Sequence, residues 1–72
     1  MPKAEITNQI RKLRFEHDEM SQQALADQVG CTRQTILLLE QGRYVPSLAL
    51  ALRIARVFGQ TVEEVFQLEG DS

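Results

Sequence analysis

Arg33 and Gln34 stand side by side near the middle of the chain, and each can form two parallel hydrogen bonds to one planar partner. The fork of an arginine matches the O6 and N7 atoms of guanine, and a glutamine amide matches N6 and N7 of adenine. Thr32 directly precedes them as a candidate helix N-cap, which would place both side chains in the first turn of a helix. The pair therefore has the chemistry to read the edges of DNA bases.

The residue types that most often serve catalysis do not form a catalytic set. Cys31 has two interpretations, a small buried side chain at a corner or a thiol redox sensor. The favoured interpretation of His17 is a contact with the C-terminal end of a helix, and the alternative is a metal site. No nucleophile with an adjacent base, carboxylate pair, glycine-rich phosphate loop or metal-ligand cluster is present. We expect no enzyme activity, no metal, no cofactor and no small-molecule ligand.

Length and composition place the chain among small single domains. Its 72 residues predict one domain over 1–72, with a core that gains from a partner subunit. A single cysteine excludes an internal disulfide and fits a reduced, cytoplasmic setting. There is no apolar run of a signal peptide at the start and none long enough for a membrane span. The net charge is -2; residues 1–44 are neutral overall, so the excess acid lies in the tail.

Residues 22–40 predict two short helices that meet at a tight corner. Ser21 is a candidate cap for the first, which carries an apolar stripe and ends at Gly30, where a left-handed residue is favoured. Thr32 begins the second, whose apolar stripe is Ile36 and Leu39. The pattern indicates a helix-turn-helix over about residues 21–41, and the second helix of such a motif can enter a DNA major groove.

Three further helices complete an all-α, compact five-helix prediction. The first covers residues 5–17, where Ile6, Ile10 and Leu13 form the inner stripe. The fourth begins after a Ser47 cap and reaches about residue 58; the fifth begins after a Thr61 cap and covers about residues 62–67. Residues 69–72 are expected to fray. The apolar face of the fourth helix is broad enough to be buried on more than one side, and comprises Leu48, Leu50, Ala51, Leu52, Ile54, Ala55, Val57 and Phe58.

A longer motif makes the helix-turn-helix interpretation specific. TRQTI is followed by Glu40, Gly42 and Pro46-Ser47-Leu48, and it is preceded by Leu25-Ala26 and Val29-Gly30. Together these residues resemble the Cro/repressor-type (xenobiotic-response-element-like) helix-turn-helix family, and especially its short members. The resemblance extends over about residues 6–68.

The resemblance implies a cytoplasmic, sequence-specific DNA-binding regulator of transcription, usually a repressor, that binds a pseudo-palindromic operator as a homodimer. The third helix would lie in the major groove. The base-edge candidates are Arg33, Gln34, Thr35 and Leu38. The candidates for contacts to the DNA backbone are Gln22, Thr32, Arg43 and Tyr44. Arg14 and Glu40 match positions that often pair between the first and third helices of the family.

Leu37 and Leu38 depart from the polar residues common at those positions of the family. Leu38 has two interpretations, a contact to a thymine methyl group or part of a protein-binding surface. The second gives a rival function, a protein-interaction module of antitoxin-like or regulator-binding type that retains the fold and works through Leu37, Leu38 and the acidic tail.

The C-terminal part is the expected homodimer interface, because two modules on adjacent half-sites bind more tightly than one. The interface is expected to comprise the fifth helix with nearby residues of the fourth. Its candidate residues also suit the monomer core: Val62, Val65, Phe66 and Leu68.

Overall fold

A computed structural model describes residues 5–69, and in it five short helices are closed by a two-stranded antiparallel sheet. The helices account for most of the chain, so the predicted helical domain is confirmed in outline, but the strict all-α assignment is wrong. The elements in chain order are β1 Glu5–Asn8, α1 Ile10–Glu16, α2 Gln22–Val29, α3 Arg33–Glu40, α4 Leu48–Val57, α5 Val62–Val65 and β2 Phe66–Glu69.

The predicted caps are confirmed at four helices. Ser21, Thr32, Ser47 and Thr61 each accept a hydrogen bond from the backbone N–H three residues ahead. Each cap satisfies one of the donors that a helix start leaves without a partner. Glu64 also accepts from the Thr61 backbone N–H at 2.8 Å, which completes a capping box at α5.

The two strands correct both ends of the prediction. Residues 5–8 pair with residues 66–69, with Ile6 opposite Leu68 and Asn8 opposite Phe66. The first helix therefore begins at Ile10 rather than at residue 5, and the fifth ends at Val65 rather than at about residue 67. Residue 69, which was expected to fray, belongs to β2; residues 70–72 lie outside the described residues.

Three hydrogen bonds at the end of β1 connect the sheet to the neighbouring helices. The Gln9 N–H donates to the Val65 carbonyl at 2.8 Å, so that carbonyl is occupied by the strand pairing. The Asn8 side chain accepts from the N–H of Ile10, the first residue of α1, at 3.1 Å. Its amide nitrogen donates to the Leu39 carbonyl at 2.7 Å. Asn8 thus ties the sheet to the start of α1 and to the end of α3.

The core lies between α1, α2, α3, α4 and α5. Leu25, Ile36 and Ile54 have no exposed surface, and Phe58 closes one side against His17. Helix α4 buries one face, which carries Leu50, Ala51, Ile54 and Ala55. The expectation that Leu48 and Leu52 are also buried is wrong, because they are 71% and 52% exposed.

The connection between α1 and α2 uses two left-handed residues where glycine is absent. Asp18 and Glu19 have φ of 57° and 53°. Such a conformation is costly for residues with a Cβ. The Met20 N–H donates to the Arg14 carbonyl at 2.8 Å, and an Arg14 side-chain nitrogen donates to the Met20 carbonyl at 2.7 Å. This reciprocal pair of bonds holds the connection in place.

We predict that Asn8→Ala lowers the free energy of unfolding by about 1–2 kcal/mol, because it removes two side-chain hydrogen bonds at half-buried backbone groups. Urea denaturation followed by circular dichroism measures the change. Asn8→Asp keeps an acceptor for the Ile10 N–H but loses the donor to Leu39, so it should also destabilise. Thr7→Ala, on the same strand with an exposed side chain, is the matched control; an equal loss in Thr7→Ala would contradict the assigned role of Asn8.

Candidate nucleic-acid interface

The corner between α2 and α3 is closed by backbone hydrogen bonds. Gly30 has φ of 78°, a conformation that glycine adopts without strain. This turn lets the N–H groups of Gly30 and Cys31 both donate to the Ala26 carbonyl, at 2.9 and 3.0 Å. Ala26 is fully buried at the inside of the corner. The next helix therefore starts at once, and its direction is set by the turn.

The first turn of α3 divides its polar side chains into two groups. The Thr32 hydroxyl accepts from the Thr35 N–H at 3.2 Å and lies 3.0 Å from the Thr35 hydroxyl. Both threonine hydroxyls are thus engaged in the cap. Arg33 and Gln34 are exposed, and within residues 5–69 neither side chain takes part in a hydrogen bond or ion pair. The two side chains with bidentate recognition chemistry are therefore the ones left available to a ligand.

The rest of α3 is anchored by its inner face. Ile36 and Leu39 are buried in the core, as their spacing predicted. Leu37 and Leu38 are half-buried, so only part of each side chain is accessible to a binding partner. Each nevertheless keeps some surface accessible.

A buried ion pair holds the other end of α3 against α1. The Arg14 Nε lies 2.6 Å from the Glu40 Oε2, and its Nη2 donates to Oε1 at 3.1 Å. The two side chains are only 11% and 9% exposed. The predicted pairing of these residues is confirmed, and its bidentate geometry fixes the relative orientation of the two helices.

The same carboxylate also positions the first residue of α2. The Gln22 Nε2 donates to the Glu40 Oε1 at 3.1 Å, so one carboxylate connects α1, α2 and α3. Gln22 is half-buried there, with its backbone in the first turn of α2. Free N–H groups at such a helix start can hold a phosphate without a lysine.

The remaining predicted contact residues lie on the segment that follows α3. Arg43 and Tyr44 are exposed, and the Arg43 N–H donates to the Leu38 carbonyl at 2.9 Å. Gly42, with φ of 72°, turns the chain after the helix. The structure therefore brings this segment directly to the end of α3, while Gln22 reaches the same end through Glu40.

An aromatic residue beside this region was missed in the sequence. Phe15 is 54% exposed, and the guanidinium carbons of Arg11 and Arg14 lie 5.9 Å from its ring centre. Phe15 and Leu37 line one shallow groove between α1 and α3, together with Gln22. The available signal was an aromatic residue on the outer side of α1 with an arginine four residues before it.

The single cysteine and histidine are accounted for by local contacts. Burial raises the pKa of the Cys31 thiol above its usual value, which disfavours the reactive thiolate. His17 Nδ1 lies 2.9 Å from the Leu13 carbonyl at the end of α1, the helix-end contact that was expected. Between residues 5 and 69, no group of three His, Cys, Asp or Glu side chains is placed to hold a metal ion. In the same part of the chain, no helix is long and apolar enough to cross a membrane.

The four residues expected at a dimer interface fall into three environments. Val65 is fully buried inside the chain, Val62 and Phe66 are half-buried, and Leu68 is 60% exposed. Val65 therefore has no exposed surface for direct contact with a second subunit.

Comparison with known proteins agrees with this geometry. A family model described as a helix-turn-helix domain matches residues 5–68. YgzD of Bacillus subtilis strain 168, an uncharacterized HTH-type transcriptional regulator, is 45% identical over 67 residues, which are 93% of this chain and 100% of YgzD. Another uncharacterized HTH-type transcriptional regulator, from Methanothermobacter thermautotrophicus, is 50% identical over 66 residues, covering 86% of this chain and 96% of the relative.

A solved structure supports the fold. The crystal structure of a protein from Bacteroides fragilis superposes with a TM-score of 0.74 at 21% identity, over 86% of this chain and 98% of that one. At that level of identity, the likeness concerns the fold alone.

We predict that Glu40→Gln lowers the free energy of unfolding by about 3 kcal/mol, because it leaves the buried Arg14 guanidinium without a counter-charge. Urea denaturation measures the loss. Replacing both partners, Arg14→Met with Glu40→Leu, should recover much of it, since no charge is then left alone. Glu16→Gln, an exposed change on α1, should stay within about 0.5 kcal/mol of the parent chain. Equal stability of the Glu40→Gln and Glu16→Gln chains would contradict the assignment.

Proposed function

Because this chain belongs to the helix-turn-helix family of DNA-binding transcriptional regulators, we propose that it binds a pseudo-palindromic operator as a homodimer and represses transcription from it. The observation that carries the proposal is the exposed pair Arg33 and Gln34 at the capped start of α3. In a helix-turn-helix protein, this end of the second helix points to the base edges of the major groove.

The polar side chains divide into base readers and positioning groups. Arg33 and Gln34 read base edges. The hydroxyl groups of Thr32 and Thr35 stabilise the start of the reading helix, which leaves the Thr35 methyl group for contact with DNA. Leu38 supplies a smaller apolar contact farther along α3, which suits a thymine methyl group. Gln22, Arg43 and Tyr44, which lie near the end of α3, contact the DNA backbone.

The charge of the chain makes dimerisation important for binding. A net charge of -2 gives little general attraction to DNA, and few cations flank the reading helix. Two modules on half-sites about 34 Å apart bind together more tightly than one, because the second contact becomes intramolecular. Val62, Phe66 and Leu68 contribute to the subunit contact. The dimer acts in the cytoplasm, where it blocks access to the promoter by occupying its operator.

A second candidate function rests on Phe15 and Leu37, which present apolar surface beside α3. An apolar surface next to a helix-turn-helix also suits a protein partner, so a protein-interaction module is the alternative.

Salt dependence distinguishes the two functions. DNA fragments selected from a random pool by the purified protein should bind with an affinity that falls steeply between about 50 and 200 mM salt. The slope of log affinity against log salt concentration should be about the number of phosphates contacted. Recovery of no common sequence from the pool would contradict operator binding. Affinity for a protein partner that is insensitive to salt would support the alternative.

We predict that Arg33→Ala and Arg43→Ala have different signatures on the selected DNA. Arg33→Ala should cost about 1–3 kcal/mol and relax the preference at one base pair, because one bidentate base contact is lost. Arg43→Ala should weaken all sequences alike and lower the salt slope by about 1, because a phosphate contact is lost.

Fluorescence anisotropy with a panel of single-base variants measures both effects. Lys12→Ala removes one exposed positive charge from α1, as the other two variants do from their segments. It is the matched control and should leave the base preference unchanged. A uniform loss in Arg33→Ala would instead make Arg33 a contact to the DNA backbone.

A further inference from the structure

The shallow groove between α1 and α3 contains a positive charge that the fold leaves without a partner. Its volume is about 360 Å³; Arg11 and Phe15 line it from α1, and Leu37 and Gln41 line it from the side of α3. The Arg11 side chain is exposed, and among residues 5–69 it takes part in no ion pair and no side-chain hydrogen bond. Its guanidinium is therefore available to a ligand.

The other charges at the groove compensate each other. The Arg14 Nε and Nη2 bind the Glu40 carboxylate at 2.6 and 3.1 Å, and its Nη1 donates to the Met20 carbonyl at 2.7 Å. The Gln22 Nε2 donates to the same carboxylate at 3.1 Å. Two arginines and one glutamate line the groove, so it carries one net positive charge, which belongs to Arg11. The ligand that such a groove attracts is an anion.

The ring of Phe15 orients this guanidinium. The Arg11 guanidinium carbon lies 5.9 Å from the centre of the ring, within the range of a cation–π contact. More than half of the Phe15 side chain is exposed, so its place on α1 is not explained by the core. A planar guanidinium that is already held in place loses less freedom when it binds a phosphate than a side chain that must first be ordered.

The α3 side of the groove continues the face of that helix that carries Arg33. Arg33, Leu37 and Gln41 are spaced four residues apart, so they lie one above another on the same face. The Gln41 N–H donates to the Leu37 carbonyl at 3.1 Å, which extends the helical path to Gln41. A helix with its side chains is about 10–12 Å wide and the major groove is about 12 Å wide, so the flanks of a helix in the groove meet phosphates. When Arg33 reads a base edge, the groove beside α1 therefore faces one of the two DNA backbones.

We propose that one phosphate of the DNA backbone binds in this groove, with Arg11 as its charged partner and Phe15 as the residue that positions Arg11. This inference rests on the proposed function and adds a contact from α1 to those near the end of α3. The unpaired charge favours DNA over a protein partner here, because a phosphate compensates it, whereas an apolar protein surface would bury it at a cost.

Salt dependence measures the Arg11 contact on the DNA selected from the random pool. Arg11→Ala should weaken all single-base variants alike and lower the slope of log affinity against log salt concentration by about 1, because one phosphate contact is lost. Arg11→Lys keeps the charge and should keep the slope. Lys12→Ala, at the next residue of α1 and also exposed, is the matched control and should keep the slope of the parent chain.

Ethylation interference identifies the phosphate. Ethylation of the phosphate that binds Arg11 should weaken binding of the parent chain but have no effect on binding of Arg11→Ala. Arg43→Ala should become insensitive to ethylation at a different phosphate, because Arg43 lies beyond the end of α3 rather than on α1.

A double-mutant cycle tests the role of Phe15. Phe15→Leu keeps an apolar side chain but removes the ring. It should weaken DNA binding about two- to tenfold without changing the salt slope, since the charge remains but Arg11 must be ordered on binding. In a chain that already carries Arg11→Ala, the same change should have no further effect. Circular dichroism verifies that each variant is folded.

An unchanged salt slope in Arg11→Ala, or an equal effect of Phe15→Leu with and without Arg11, would overturn the proposal. In both cases the parent chain still binds its operator, so the proposed function stands. A parent chain that binds no DNA would instead contradict the proposed function together with this contact. A protein partner that Phe15→Leu no longer binds, with DNA binding as in the parent, would assign the groove to that partner.

Discussion

The buried pair of Arg14 and Glu40 is the interaction on which the DNA-reading region depends. Its carboxylate joins the end of α3 to α1 and to the first residue of α2, and its guanidinium also holds the turn between α1 and α2 through the Met20 carbonyl. Removing two charges from water is expensive, so a pair of this kind adds little net stability over apolar residues of the same size. What it provides is geometry, because a bidentate pair permits one relative orientation of the helices that carry Gln22 and Arg33.

The sheet fixes the opposite side of the same helix. Asn8 donates to the Leu39 carbonyl one residue before Glu40, so the end of α3 is held by a hydrogen bond from β1 as well as by the ion pair. The strand that pairs with β1 is β2, which follows α5 directly. The reading helix and the C-terminal part are therefore connected by a short series of polar contacts. The orientation of two reading helices in a dimer would follow from this connection.

The sequence predicted the helix-turn-helix well because its signals are local. Ser21, Gly30, Thr32 and Ser47 act on backbone groups within three or four residues, and all four have the predicted conformation or bond. The sheet was missed because its partners are about sixty residues apart and each strand has four residues, too few for an alternating pattern. Apolar residues occur on all sides of α4, so their periodicity does not show that Ile54 faces the core and Leu52 faces solvent.

The site also combines local properties with properties of the whole chain. Which side chains of α3 are free to bind follows from local bonds, since the cap occupies the hydroxyl groups of Thr32 and Thr35 and leaves Arg33 and Gln34. How strongly they bind depends on charge and on subunit number, which are properties of the whole chain. In the proposed function, the low net attraction to phosphate leaves specific hydrogen bonds to supply much of the affinity, and two copies that share an operator would bind more tightly than one. Under the proposed function, the cap that orients the start of α3 therefore makes DNA binding depend on correct geometry more than on charge.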